Sequence, residues 1–189
     1  IFLHQTGIEP VLSGLKEEYT ERKKEMQNKR QSGNVTRWHT IPTIKRQTVA
    51  EHSWGMAMIC MELWPQSKIL VEAALCHDLG EYFTGDSPWP VKQSNAVFKK
   101  ELSAMETEHL KKINAFVNLT DEEQSYLKIA DMLEVMYYAL EEITMGNQLF
   151  KEIFERAKTY LIMNTVLQDP VYRIINELEN RYKELTNAS

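Results

Sequence analysis

Two histidines and two aspartates, His52, the adjacent pair His77 and Asp78, and Asp131, are the residues whose types and order point to chemistry. Two imidazoles and two carboxylates form a donor set for one divalent cation and leave a coordination position for water. The set suits Co, Mn, Zn, Fe or Ni, with an all-oxygen magnesium site less natural though still admissible. Such an ion lowers the pKa of water toward neutrality and polarises a phosphoryl oxygen, the two tasks of phosphate ester hydrolysis. A metal-dependent hydrolase is the first expectation.

The donors are far apart in sequence, with 25 residues from His52 to His77 and 53 from Asp78 to Asp131. Each falls in a segment that reads as helix, so separate helices must bring them together. Neighbours on a helix point about 100° apart, so His77 and Asp78 reach one ion only if it lies close against their helix. Asp131 has apolar flanks, and an ionised carboxylate in that setting needs a partner, for which a cation serves. An isolated histidine is more often structural or solvated, and that reading is kept for His4, His39 and His109.

The positioning elements read as an all-α, single-domain helical bundle over residues 1–189. Seven glycines, six prolines and no long alternating Val/Ile/Thr runs argue for helices joined by turns. A first helix is expected over 10–31, with Leu12, Leu15, Tyr19 and Met26 as an incomplete apolar stripe, then a polar loop over 34–48. Helices over 49–63 and 67–82 follow, the second capped by Ser67. The stretch 83–92, TGDSPWPVK with its flanking Phe83, holds one glycine and two prolines and reads as loop. Further helices are expected over 96–116, 121–145, 149–167 and 171–185. Thr120-Asp-Glu-Glu123 has the form of a capping box for the third-last of these, which reads as central and buried.

Composition excludes several classes. The net charge of −5 gives no basic footprint for a nucleic acid polymer. No run approaches the ~18 apolar residues of a membrane span, and the first residues lack the regions of a secretory signal. Cys60 and Cys76 sit in apolar runs and read as buried thiols of a reduced, cytoplasmic protein.

The order H…HD…D resembles the HD-domain metal-dependent phosphohydrolase family. Arg37-Trp38, AEHS at 50–53, HDLGEYFTGDSPWPVK at 77–92, IADMLE at 129–134 and ALEEITMGN at 139–147 are similar to bacterial 5'-deoxynucleotidases and to compact phage deoxynucleoside triphosphohydrolases. The likeness covers residues 36–147. It implies the four metal ligands named above, Glu81 as the catalytic glutamate that handles protons, and Arg37 as the phosphate-binding, charge-stabilising group. It also implies substrate contacts from Trp38, Thr84, Asp86 and Lys92. Each has a plainer alternative: a surface Glu81, a solvated Arg37, a Trp38 that only anchors its loop, a turn-forming Thr84 and Asp86, and an exposed Lys92. His39 departs from the family pattern and bears on base contacts.

The resemblance therefore implies hydrolysis of a 2'-deoxynucleotide, with attack by metal-activated water on phosphorus. Removal of phosphate from a deoxynucleoside 5'-monophosphate is placed first, because the TGDxPxPVK and EE-x3-GN stretches fit it best. A triphosphohydrolase, for example on dATP, is second. A non-catalytic nucleotide-sensing module and a phosphodiesterase are weaker, since Glu81 and all ligands are present and no extra histidine cluster offers a second metal. Self-association into a homo-oligomer is expected from the family alone.

Overall fold

The computed structural model describes residues 8–166 and 168–187, and His4 lies outside them. Among the described residues there are nine helices and no strand: α1 (Ile8–Ser32), α2 (Val49–Leu63), α3 (Lys68–Cys76), α4 (Glu81–Thr84), α5 (Trp89–Ser94), α6 (Ala96–Lys112), α7 (Asp121–Thr144), α8 (Phe150–Asn164) and α9 (Asp169–Asn187). The all-α expectation holds.

α7 is the central element and packs against α2, α3, α8 and α9. Thr120 starts it with a capping box, its side chain accepting from Glu123 N–H while Glu123 accepts from Thr120 N–H. Such a cap stabilises a helix by about 1 kcal/mol. Leu133, Met136 and Leu140 of α7 are buried with Phe150, Phe154 and Leu161 of α8 and Ile175 and Leu178 of α9. Each such side chain contributes about 1.5–3 kcal/mol on removal from water. A second cluster, Met56, Cys60, Leu70, Ala74 and Ala130, locks α2 and α3 onto α7. These two clusters fix the angle at which three donor-bearing segments meet.

Several expected boundaries shift. The helix expected over 67–82 ends at Cys76, and residues 77–80 form a turn before the single-turn α4. Its i→i+3 bonds, Leu79 N–H to Cys76 O and Glu81 N–H to Asp78 O, both 3.1 Å, tighten the chain toward 3₁₀ geometry. Ser67 occupies the cap position without a side-chain hydrogen bond. The stretch 83–92 is not all loop, because α4 extends to Thr84 and α5 begins at Trp89 with Pro90 in its first turn, where a missing N–H costs nothing. α6 stops at Lys112, four residues early. Leu15, Tyr19 and Met26 of α1 are exposed, so these three members of the anticipated stripe do not join the core.

The loop over 33–48 is fastened at both ends. Thr36 and Thr48 form an antiparallel bridge, and Thr48 caps α2 through a second capping box with Glu51. At its far end the fully buried Glu142 accepts Ile44 N–H at 2.8 Å and Lys45 N–H at 2.7 Å. Asn147 Nδ2 donates to Glu142 at 2.6 Å and to Pro42 O at 2.9 Å. The EE-x3-GN stretch thus works as a clamp on the loop that carries Arg37.

Candidate functional site

His52 rises from the first turns of α2, His77 is the C-cap of α3, Asp78 opens the turn after it, and Asp131 projects from α7. His77 and Asp78 were expected inside a helix, and they lie instead where it breaks. The tight turn matters because 3₁₀ geometry eclipses residues i and i+3, placing Asp78 and Glu81 on one side. Gly80 permits this turn to touch α6, since a Cβ there would lie 2.8 Å from Glu106 Cβ and 3.0 Å from its backbone.

Donor atoms converge. His77 Nε2 is 3.1 Å from Asp78 Oδ2, and His52 Nε2 is 3.7 Å from the same oxygen and 3.4 Å from Asp131 Oδ1. One donor atom from each of His52, His77 and Asp78 fits within 4.8 Å of the others. The outer nitrogens are committed: His77 Nδ1 meets Ala74 O at 2.9 Å, and His52 Nδ1 meets Glu134 Oε2. A carbonyl and a carboxylate only accept, so both Nδ1 atoms carry a hydrogen, and the Nε2 atoms are the ones turned toward Asp78 and Asp131, where they would meet a cation. His52 Nε2 is buried and has no hydrogen-bond partner. These features fit a divalent cation.

Burial opposes ionisation of Asp78, but His77, Arg37 and His52 outweigh it and hold its carboxyl well below the usual range. Asp131 is likewise depressed, burial being overcome by Lys128, 2.6 Å away, and by His52. Both remain anionic at neutral pH. Glu81 behaves oppositely: burial, then the nearby Asp78 and Asp86 carboxylates, push its pKa up to about 9. It is 4% exposed, its Oε2 has no partner, and Lys92 Nζ approaches Oε1 at 3.6 Å.

A cavity of about 360 Å³ opens onto these groups, lined by Arg37, Trp38, Asp78, Glu81, Asp86, Lys92 and Asp131 among others. Arg37 Nη1 donates to Asp78 at 3.0 Å, and its buried Nε has no partner. Met132, Val135, Ile153 and Ala157 give the cavity an apolar wall, and the exposed His39 stands at its rim. A groove of about 740 Å³ lined by Trp54, Met58 and Tyr137 lies elsewhere and carries none of the four donors.

The remaining sequence candidates divide. Trp38 lines the cavity and also anchors its loop, stacking on Tyr138 at 5.7 Å and meeting Phe150 edge-on. Asp86 lines the cavity and accepts Trp38 N–H at 3.3 Å. Thr84 does not line it, and its hydroxyl turns to Gly85 O and Glu106. His109, read as solvated, is 9% exposed and lies 4.1 Å, centroid to centroid, from Phe83. Glu134, which meets His52 Nδ1 and Gln47, is marked in the sequence only by its place at the end of IADMLE. Cys60 and Cys76 are free thiols, the first buried. Among the described residues no helix is long and apolar enough to cross a membrane.

Residues 26–172 match the model of the family described as 5'-deoxynucleotidase YfbR-like. A dATP triphosphohydrolase of Salmonella phage PMBT28 is 33% identical over 174 residues, 80% of this chain and 86% of the relative. The 5'-deoxynucleotidase YfbR of Salmonella arizonae is 30% identical over 142 residues, 62% of this chain and 71% of that protein. The HD phosphohydrolase of cyanophage S-2L, solved bound to dA and one catalytic Zn2+ ion, superposes with a TM-score of 0.60 at 21% identity, covering 85% of this chain and 96% of that one. Donor geometry, helical fold and the family match over most of the chain agree: this protein is an enzyme of the YfbR-like family of HD-domain phosphohydrolases.

Proposed function

We propose that the chain hydrolyses 2'-deoxynucleotides, releasing phosphate from deoxynucleoside 5'-monophosphates, at a site where His52, His77, Asp78 and Asp131 hold one divalent transition metal. The observation that carries this reading is the approach of His52 and His77 to Asp78, and of His52 to Asp131, with the two aspartates opening onto a cavity that Arg37 and Glu81 also line. When bound, the ion would lower the pKa of a water molecule and polarise a phosphoryl oxygen. Zinc in the cyanophage neighbour supports a transition metal.

Arg37 offers a permanently charged, planar donor set to the phosphoryl oxygens, with Nε still unpaired. Charge that grows on those oxygens in the transition state is stabilised where it develops. Hydrolysis forms a bond from water oxygen to phosphorus and breaks the bond from phosphorus to the sugar O5'. One proton leaves the water and one reaches O5'. Glu81, protonated near neutrality in the metal-free protein, is the group suited to deliver that proton from Oε2 and recover another. Lys92 beside it balances the charge that Glu81 acquires. Asp86 and Trp38 are assigned to the sugar and base. Thr84 is assigned a supporting part, holding the turn that carries Asp86.

A second reading, triphosphohydrolysis, is favoured by a specific observation. Lys128 and Arg156 join Arg37 and Lys92 around the cavity, each now paired with a carboxylate and within reach of a longer phosphate tail, and the phage relative carries the name dATP triphosphohydrolase. The exposed Leu15, Tyr19 and Met26 support self-association through α1. The two free thiols fit a reducing compartment such as the cytoplasm, and the shared core around α7 supports one domain.

The test is incubation with cobalt or manganese and the deoxy- and ribonucleoside mono-, di- and triphosphates, with identification of the released product. Phosphate from deoxynucleoside monophosphates is expected. Triphosphate release transfers the assignment to the second reading, and no product with any metal overturns both. Asp78→Ala should lose metal and turnover while retaining its helix content.

A further inference from the structure

Trp38 and His52 are joined by three hydrogen bonds whose directions chemistry fixes. An indole N–H only donates, so the 2.7 Å contact from Trp38 Nε1 assigns Oε1 of Gln47 to that side. Gln47 must then present Nε2 to Glu134 Oε1, 2.7 Å away. Glu134 accepts there and keeps Oε2 for the Nδ1–H of His52. His52 Nε2 is left as the atom that would meet a cation, buried without a hydrogen-bond partner beside Asp131 and Asp78. Reversing the Gln47 amide would set two donors face to face at Trp38 and two acceptors face to face at Glu134.

The chain of bonds spans distance and burial. Gln47, Glu134 and His52 are 4%, 7% and 0% exposed, so water competes weakly for any of them. Its outer end is Trp38, which lines the substrate cavity and holds a φ of 60°. That left-handed conformation is costly for a bulky residue and persists only where surrounding contacts over-determine it. Here the contacts are the Gln47 bond, the Tyr138 stack and the Phe150 edge.

Building on the reading of His52 as a metal ligand, we infer that Gln47 is a positioning residue that couples the substrate cavity at Trp38 to the metal affinity of His52. A cation on Nε2 draws electron density from the imidazole and strengthens the Nδ1–H bond to Glu134. Chains of hydrogen bonds polarise one another, so the effect passes through Gln47 to the indole. Coupling of this kind is reciprocal. A deoxynucleotide that holds Trp38 in place therefore tightens the metal, and the metal in turn stiffens one wall of the cavity.

The test uses Gln47→Met, which keeps the volume and removes both hydrogen bonds, with Co2+ binding measured by calorimetry and melting followed in chelator. Gln47→Met should weaken Co2+ about tenfold, the low end for loss of a group supporting a metal ligand. Trp38→Phe, which keeps the stack and loses the N–H, should weaken it in the same direction by less. The double variant should bind no more weakly than Gln47→Met, since both changes break one chain. A purely structural Gln47 would lower the melting temperature and leave Co2+ affinity as in the parent, and that result overturns the proposal, as do additive effects. Should Gln47→Met fail to fold, Trp38→Phe reads the same chain from its outer end, and parental Co2+ affinity there also overturns it. His52→Ala separates the two levels: unchanged Co2+ binding in that variant defeats the metal reading itself, whereas its loss alongside parental affinity in Gln47→Met defeats only the coupling.

Discussion

Arg37 Nη1 lies 3.0 Å from Asp78 Oδ2, across 41 residues of sequence. The same oxygen is the one nearest His77 Nε2 and within 3.7 Å of His52 Nε2. The proposed phosphate donor and the candidate metal ligand therefore meet at one atom, so a phosphoryl group held by Arg37 would lie beside the ion's position.

Replacing Arg37 by Lys keeps the charge and loses the fork. A point ammonium cannot hold Asp78 and a phosphoryl oxygen together as a planar guanidinium does. kcat/KM should fall by about 10²-fold or more, the scale of losing one charge-stabilising donor. Steady-state phosphate release measures it, with circular dichroism as the folding control. A change of only a few fold would reassign Arg37 to holding its loop.

Glu81 yields two separable results. Glu81→Ala should keep its metal but lose about 10²–10⁴ in rate, as expected for a general acid or base. Stability responds with the opposite sign. Because the folded pKa stands near 9 against an ordinary 4.5, the metal-free native state binds more protons than the unfolded chain between those values and loses stability as pH rises through that window. Metal-free Glu81→Gln should therefore gain on the parent on going from pH 4.5 to pH 7, by up to about 3 kcal/mol. Urea unfolding in chelator at the two pH values checks it, and a constant difference would mean that Glu81 is not held protonated.

The Thr120 cap was readable because it is local, a four-residue signal, and the central place of α7 because its apolar positions are spread around the helix; the four candidate donors stand out by residue type and order along the chain. Thr48-x-x-Glu51 carries the same signal at α2. The break after Cys76 was not readable, since nothing in ALCHDLGEY forbids a helix and the turn depends on Gly80 meeting Glu106. α5 was obscured by prolines that are tolerated in a first turn. The support of His52 by Glu134 joins residues 82 apart, a tertiary contact that no window of sequence contains. His109 misled for a similar reason: its own helix is charged, but Phe83 comes from another segment.

Glu142 should make the Arg37 loop sensitive to acid. Burial raises its pKa, but the backbone N–H of Ile44, the Asn147 amide and the backbone N–H of Lys45 outweigh this and leave the pKa depressed. A depressed carboxyl contributes stability that is present above the unfolded value of 4.5 and lost as pH falls through the folded one. Glu142→Gln should cost about 1–3 kcal/mol at pH 7, because hydrogen bonds to a buried charge are replaced by weaker ones. That cost should shrink below pH 4.5. Denaturant unfolding of both proteins from pH 3 to pH 7 reads the difference, and a gap independent of pH would leave the clamp without its charge.

Gly55 and Gly14 both lie inside helices, and an alanine should act differently at each. At Gly14 an added Cβ meets nothing within 4 Å, so Gly14→Ala should stabilise by about 0.5–1 kcal/mol through helix propensity alone. At Gly55 the same Cβ would lie 2.9 Å from Glu134 Cγ and 3.3 Å from its Oε1. The propensity gain there is opposed by about 1–3 kcal/mol of overpacking, so the net effect on melting is a modest loss. Metal affinity is the sharper measurement. Glu134 cannot retreat from Gly55 and keep its bonds to both His52 and Gln47, so Co2+ binding to Gly55→Ala should weaken about tenfold or more. Parental Co2+ affinity in that variant would show that Glu134 has room to adjust, and that the close approach of α2 to α7 serves packing alone.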